Sequence, residues 1–198
     1  EGGEAMTVGI KFSRENLLQE KILEARVGNV LRIKENKSLP AKSKLGQTRS
    51  DIFGDIKFNL NRNLGIGYAF SYDKDLEYSN LDAVNILLSL NNFETNFNYY
   101  TENHDFGDSE TLTNLTRYEI NNENNLVFNA SKNLRDDFTE YYNLAYEYET
   151  DCISLNFNYK RTFYRDGNLE PNNTLSFLIR IIPFTELGVP NVGSMIKN

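Results

Sequence analysis

The 198-residue sequence contains one cysteine, one histidine, four prolines and no tryptophan. A single Cys152 cannot close a disulfide within the chain, so it is either free or paired with a cysteine outside it. His104, in "TENHDFGDSE", has no second His and no nearby Cys with which to build a metal or catalytic site, and reads as an exposed loop residue. Long apolar runs are missing too. No stretch approaches the roughly 18 unbroken apolar residues of a membrane-crossing helix, which excludes a helical membrane protein. A membrane barrel stays open, because its strands hide their apolarity in alternation. Basic charge is in deficit, with 28 acidic against 21 basic residues and a net charge of -7, which weighs against nucleic acid as a partner. There is no Ser–His–Asp set, paired-Cys motif or phosphate loop, so the sequence asks for neither an enzyme nor a cofactor. Gly65 and Gly67 in "LGIGY" precede no helix and are not a dinucleotide loop; they fit the small side of an alternating strand. The first residue is Glu1, and no charged n-region followed by an apolar segment comes after it. The expectation is the C-terminal part of a longer protein.

What the sequence has is aromatic residues and a two-residue beat. Mean hydropathy is -0.55, yet 13% of residues are aromatic, with twelve Tyr and thirteen Phe, a heavy load for so polar a chain. In "ISLNFNYKRTFY", Ile153, Leu155, Phe157 and Tyr159 alternate with Ser154, Asn156, Asn158 and Lys160. The same beat returns at Ile66, Tyr68, Phe70, Tyr72 and at Leu175, Phe177, Ile179, Ile181. Side chains on a strand alternate between two faces, so this pattern predicts sheets with one apolar and one polar face. Helical periodicity is confined to "ENLLQEKILEA", where Leu17, Leu18 and Ile22 share a face; it is short, and a turn over Arg14 to Gln19 fits better.

Strands are predicted near 4–13, 21–34, 50–61, 64–74, 78–90, 93–103, 111–121, 125–133, 138–149, 152–164 and 173–184. These are close to the roughly ten residues of a tilted membrane-crossing strand and longer than the five or six usual in globular sheets. Short turns at 61–63, 91–92, 121–124 and 150–151 alternate with longer links at 35–49, 74–78, 104–110, 133–137 and 165–172. The Asn and Asp residues of the short turns tolerate the left-handed backbone that tight hairpins need. The fold class is therefore all-β, an antiparallel transmembrane β-barrel portion of about eleven meandering strands, open or incomplete in this chain. A half-buried sheet of a soluble sandwich gives the same alternation and is the competing reading. In the barrel reading, Tyr72, Tyr78, Tyr99, Tyr100, Tyr141, Tyr142, Tyr148, Phe163 and Tyr164 form interfacial girdles. Residues 1–184 then form the barrel portion. Residues 185–198, broken by Gly188, Pro190 and Gly193, form an irregular tail. Open strand edges predict a chain that aggregates when isolated.

Two loops are charged. Lys34, Lys37, Lys42, Lys44 and Arg49 make 34–49 basic, a solvated loop by default and a contact for anionic lipid or phosphate as the alternative. Glu102, Asp105, Asp108 and Glu110 lie around His104; their spacing does not match a calcium loop, so a solvated acidic loop is the default and a weak calcium or magnesium site the alternative. The sequons at Asn114 and Asn172 are those expected by chance in an Asn-rich chain.

The stretch "YEYETDCISLNFNYKRTFYRDGNLEPNNTLSFLIRIIPF" resembles the C-terminal end of the LPS-assembly LptD family, the organic solvent tolerance family. There a Cys opens the second-last barrel strand, followed by an alternating strand with an Arg near its end, a loop and a last strand. Here these are Cys152, Ile153 to Tyr164 with Arg161, Arg165 to Asn172, and Asn173 to Phe184. "VGNVLRIKENKSLPAKSKLGQTRSDIFGDIKFN" is similar to the family's barrel interior, so the resemblance covers nearly the whole chain. It implies an outer-membrane barrel of a Gram-negative cell, with a periplasmic jellyroll that lies outside this chain. Such a barrel receives lipopolysaccharide over an LptA-like periplasmic bridge and is plugged by an LptE-like lipoprotein. It releases its cargo through a seam between first and last strands. Cys152 matches the Cys that ties barrel to jellyroll; some members have two adjacent Cys there, where this sequence has Asp151-Cys152, leaving one bond at most. The strand carrying Asn173, Leu175, Phe177, Ile179, Ile181 and Pro183 becomes one side of the seam, with Pro183 marking its end. Asn156, Asn158, Lys160 and Arg180 become candidate lumen contacts for a polar headgroup, on the alternation alone. The rivals are a generic outer-membrane channel fragment and a soluble all-β adhesin or binding module.

Overall fold

The structure is a computed structural model that describes residues 4–39, 44–103, 108–163, 170–181 and 185–188. It is all-β. Eleven long strands follow one another as β1 (Ala5–Glu15), β2 (Lys21–Arg32), β3 (Ile52–Asn59), β4 (Leu64–Tyr72), β5 (Ser79–Leu90), β6 (Phe93–Glu102), β7 (Ser109–Asn121), β8 (Asn124–Asn133), β9 (Phe138–Glu149), β10 (Ile153–Thr162) and β11 (Asn172–Ile181). Each pairs with its sequence neighbours in a single sheet whose order runs from β1 to a short β12 (Thr185–Gly188), so the order does not close. Contacts divide the chain into two compact units. The first is Glu1–Leu87 with Asn98–Glu110, and the second is Leu88–Phe97 with Thr111–Asn198.

Strands form where the two-residue beat runs and stop where Asn or Asp captures the backbone. Asn61 Oδ1 accepts from the backbone N–H groups of Asn63 and Leu64, closing the turn between β3 and β4. Asn16 Oδ1 does the same for Leu18 and Glu20 between β1 and β2, so the short helical pattern there gives way to a turn. Asn91 and Asp137 adopt positive φ, the conformation those residue types tolerate best. Within each unit, links at 16–20, 60–63, 91–92, 122–123 and 150–152 lie at one end of the strands, the short-turn rim, and those at 33–51, 73–78, 103–108, 134–137 and 163–171 at the other, the long-loop rim, where 134–137 alone is as short as a turn. One close approach is fixed by glycine: a Cβ on Gly54 would meet Arg26 O at 2.4 Å and the Phe70 ring at 2.6 Å.

The tail expected to be irregular after Phe184 begins instead with β12, which pairs its four residues with Leu178–Ile181 of β11. The unpaired edge of β11 supplies the backbone partners that a sequence rhythm did not signal. Among the described residues, Ala145 is the one buried apolar side chain, so neither unit contains a conventional hydrophobic core.

What is buried is polar. Ser50 and Asp51, at the end of the long 33–51 link, and Asn80, the second residue of β5, are almost fully enclosed. Asn80 Nδ2 donates to Asp51 Oδ2 at 2.7 Å and Ser71 Oγ to the same oxygen at 3.3 Å. Asn29 Nδ2 donates to the carbonyls of Ser50 and Asp51, and Ser50 Oγ accepts from the Val30 N–H. Asp73 closes the next loop, its carboxylate accepting from the N–H groups of Asp75, Glu77 and Tyr78. Burial pushes the Asp73 carboxyl up, but those three donors and the nearby Lys44 charge outweigh it and hold the group below its ordinary value. Asp51→Ala leaves the enclosed Asn80 amide without its acceptor, a cost of about 1–3 kcal/mol. Hydrogen exchange is expected to quicken at Ser50 and Arg32, whose N–H groups bond Val30 O and Thr48 O, and to stay unchanged in β8 to β10. Because the folded Asp73 value is depressed, its contribution to the 73–78 turn is complete above about pH 4 and disappears as pH falls through the lower folded value. Exchange at Glu77 and Tyr78, corrected for intrinsic rate, is expected to show that loss in the wild type and not in Asp73→Asn.

Candidate functional site on the polar strand face

Register decides which side chains share a face. In the first unit, Lys11 stands opposite Arg26 and Ser13 opposite Glu24; Arg26 is in turn opposite Asp55, and Glu24 opposite Lys57. These residues form a charged ladder on one face. Arg26 donates to both Asp55 oxygens, Nε at 2.9 Å and the terminal nitrogen at 3.0 Å, and Glu24 meets Lys11 at 3.1 Å and Lys21 at 3.4 Å. Cations of the ladder are about half exposed, so each pair is worth only about 0.2–1 kcal/mol; the ladder makes the face polar more than it makes the fold stable. The opposite face carries Ile10, Val27, Phe12, Ala25, Ile56 and Phe58, with Ile66 and Tyr68 across from them on β4. Ile10 is 74% exposed.

The second unit repeats the division. Asn156, Asn158 and Lys160 alternate on β10, and Ser154, on the same face, stands opposite Arg180. All four residues singled out in the sequence as polar contacts therefore share one side. Glu147, opposite Asn156, accepts from Asn156 Nδ2 at 3.5 Å and from the Arg117 guanidinium at 2.8 Å. Lys160 sits 4.8 Å from the centre of the Tyr141 ring, and Asn158 Nδ2 donates to Ser176 Oγ at 3.4 Å. The Oδ1 atoms of Asn143 and Asn158, both on this face, are buried with no protein partner. On the other face, Leu155, Phe157 and Tyr159 stand opposite Ile179, Phe177 and Leu175, with the Phe157 and Phe177 ring centres 4.5 Å apart. Leu175 is 77% exposed. A closed polar trio interrupts the apolar side: Thr95, Asn114 and Thr116 bond one another at 2.7–3.0 Å.

Cys152 is a free, exposed thiol in the short-turn rim between β9 and β10. The strand of Asn173, Leu175, Phe177, Ile179 and Ile181 is bonded along its length to β10, and on its other edge to β12 only over Leu178–Ile181. Pro183 lies outside the described residues, as do His104, Asp105, Lys42 and Tyr164. Of the other acidic-loop residues, Glu110 accepts from Tyr99 OH at 3.0 Å, and no group of three metal-ligating side chains occurs among the described residues. In the basic loop, Lys44 reaches across to Tyr78, 3.4 Å from its hydroxyl and 5.2 Å from the ring centre.

One expectation needs correcting, and one feature was missed. The aromatic residues do not all belong to an apolar girdle: Tyr141 and Tyr100 fall on the polar face, Tyr141 opposite Thr162 and Tyr100 two residues after Asn98, whose side chain bonds Asn85. Adjacent tyrosines on a strand must point to opposite sides, so of each Tyr-Tyr pair only one can join a girdle. The ladder of Lys11, Glu24, Arg26 and Asp55 was not foreseen at all, although alternating charges at Glu24 and Arg26 were its visible signal.

No curated protein matches the sequence. The family model for LptD, described as LPS transport system D, matches residues 3–130, which span β1 to β7 and most of β8. The segment around Cys152 and the last strands lies beyond that range. With the match covering most of the chain, and with an all-antiparallel meander behind it, the chain belongs to the LptD family of lipopolysaccharide transport.

Proposed function

We propose that this chain is the C-terminal portion of the β-barrel of an outer-membrane LPS-assembly translocon in a Gram-negative cell. The observation that carries the reading is the pair of faces: long strands whose apolar side is exposed and whose other side is charged or amidic. Strands of 8–13 residues suit a tilted crossing of a hydrocarbon layer about 30 Å thick. A soluble sandwich would cover the apolar face with a second sheet, and the near absence of buried apolar side chains among the described residues speaks against it. In this reading the exposed apolar residues meet lipid, and Asn156, Asn158, Lys160 and Arg180 meet a hydrated lumen.

The mechanism has no covalent step. A polar headgroup crossing bare hydrocarbon would leave its hydrogen bonds unmade; the polar face offers replacements along the way. Acyl chains leave sideways into lipid through a seam, to which β11 and β12 contribute. Seam opening is easiest where few ladder bonds must break, and the first half of β11 has none on its outer edge among the described residues. An LptE-like lipoprotein plugs the lumen, and an LptA-like bridge delivers cargo to a jellyroll domain. Cys152, exposed at the short-turn rim, is placed on the periplasmic side by the rule that short turns face the periplasm, and it pairs there with a jellyroll cysteine.

Two outcomes are expected for the full-length parent. On non-reducing gels of native outer membranes, reductant changes the mobility of the wild type and not of Cys152→Ser; no change in the wild type would leave a generic outer-membrane channel as the better reading. Phe157→Lys, in mid-strand on the apolar face, lowers stability by about 2–4 kcal/mol, while the adjacent Asn156→Lys changes it little. The fraction that resists unheated detergent gels reads the difference. Equal losses for both variants would sink the assignment of the apolar face to lipid.

A further inference from the structure

On the first unit, the strands β3 to β6 line an open hollow of ≈ 510 Å³, within the roughly 300–1,000 Å³ usual for small-ligand sites; polar-face residues share its lining with Ile56, Ile66 and Tyr68. Its floor is small: Gly65, Gly67 and Ala69 alternate on β4, beside Ala83 on β5. Glycine is not demanded there by sterics. A Cβ on Gly67 would meet nothing closer than the Asn85 Cβ at 3.7 Å, an ordinary contact, and neither Gly65 nor Gly67 has a positive φ. This contrasts with Gly54, where neighbouring atoms forbid a side chain. At Gly67 the consequence of glycine is room.

Two of the polar groups around that room offer donors unpartnered among the described residues. Asp55 is neutralised by its two bonds to Arg26, and Asn59, whose NH2 goes to Lys21 O, keeps its Oδ1 as an acceptor beside Gly65. Lys57, exposed and lining the hollow, pairs with no described acidic group. Asn98 accepts from Asn85 at 2.6 Å, which turns its own NH2 into a donor without a described partner. An unpaired ammonium and an amide NH2 over an apolar, glycine-lined floor favour a ligand with a flat C–H face and an attached anion.

We propose that this hollow is a subsite for an anionic sugar: the Gly65–Gly67–Ala69 floor takes the ring face, and Lys57 with the Asn98 amide takes its carboxylate or phosphate. The proposal rests on reading the polar face as the lipopolysaccharide path. Its test places a photo-crosslinking p-benzoylphenylalanine at Leu87, on the rim of the hollow, or at Asn156 in the second unit, in the full-length parent in native outer membranes. Lipopolysaccharide adducts are expected at both positions. Lys57→Gln should reduce the Leu87 adduct about tenfold, the loss of one charge-assisted hydrogen bond, and Lys57→Arg should restore it, with the Asn156 adduct unchanged throughout. Gly67→Phe, which fills the hollow, should abolish the Leu87 adduct alone. Cells whose core sugars lack phosphate distinguish the anions: a lost adduct assigns phosphate, a retained one carboxylate. An adduct at Asn156 with none at Leu87, a Leu87 adduct indifferent to Lys57→Gln, or a Leu87 adduct to protein in place of lipopolysaccharide overturns the subsite and leaves the path intact. Adducts at neither position overturn both.

Discussion

Among the described residues, no second layer packs against the apolar strand face, and the rest of the structure answers to that. In a water-soluble domain, apolar burial at roughly 25 cal/mol per Å² is the main term opposing chain entropy. Here that term is not collected inside either unit, because Ala145 alone is an enclosed apolar side chain among the described residues. Cross-strand pairs contribute about 0.2–1 kcal/mol each and cannot replace it. The sheet therefore needs a surrounding medium in which its exposed Ile, Leu and Phe residues are at home. In the proposed reading that medium is hydrocarbon, which also makes the strand ladders obligatory, since an unpaired backbone group has no water to turn to there.

Two faces exist only while register holds. A slip of one residue would carry Phe157 to the side of Asn156 and reverse every assignment on that strand. The irregularities in the ladders respect this. Shifts fall between Arg14 and Glu15, between Glu119 and Asn121, and between Ser131 and Lys132, all near strand ends, so the centres keep continuous pairing. The polar pairs make little difference to stability at their exposure, but they discriminate between registers: Arg26 meets Asp55, and Arg117 meets Glu147, in only one alignment.

Strands and rims were legible because both are local signals. Period-two alternation sets each strand, and several turns are set by an Asn or Asp carboxamide or carboxylate closing on the next few N–H groups, as at Asn61 and Asp73. The buried cluster of Ser50, Asp51 and Asn80 was not legible, since its partners lie 20 to 29 residues apart and no alternation marks them. The stretch that resembles the family's barrel interior contains Ser50 and Asp51 but gives no reason for them. β12 was hidden for a different cause: its four residues pair through the backbone of β11, and backbone hydrogen bonding leaves little trace in side-chain pattern. Co-facial placement of Asn156, Asn158, Lys160 and Arg180 was readable from parity once the hairpin between β10 and β11 was set.

Membership in the family rests on residues 3–130, whereas Cys152 and the strands β10 and β11 lie beyond them. The two parts are joined by more than chain continuity. Arg117, inside the matched range, holds Glu147 at 2.8 Å, and Glu147 in turn accepts from Asn156. The ladder from β7 through β8 and β9 to β10 is unbroken, so the face on which Arg117 lies fixes the face on which Asn156, Asn158 and Lys160 lie. Whatever environment the matched strands present to Arg117 is therefore the environment of the polar residues outside the match. In the proposed reading a headgroup path along the one continues along the other, and Cys152, at the turn that opens β10, stands at the short-turn end of that same face pattern.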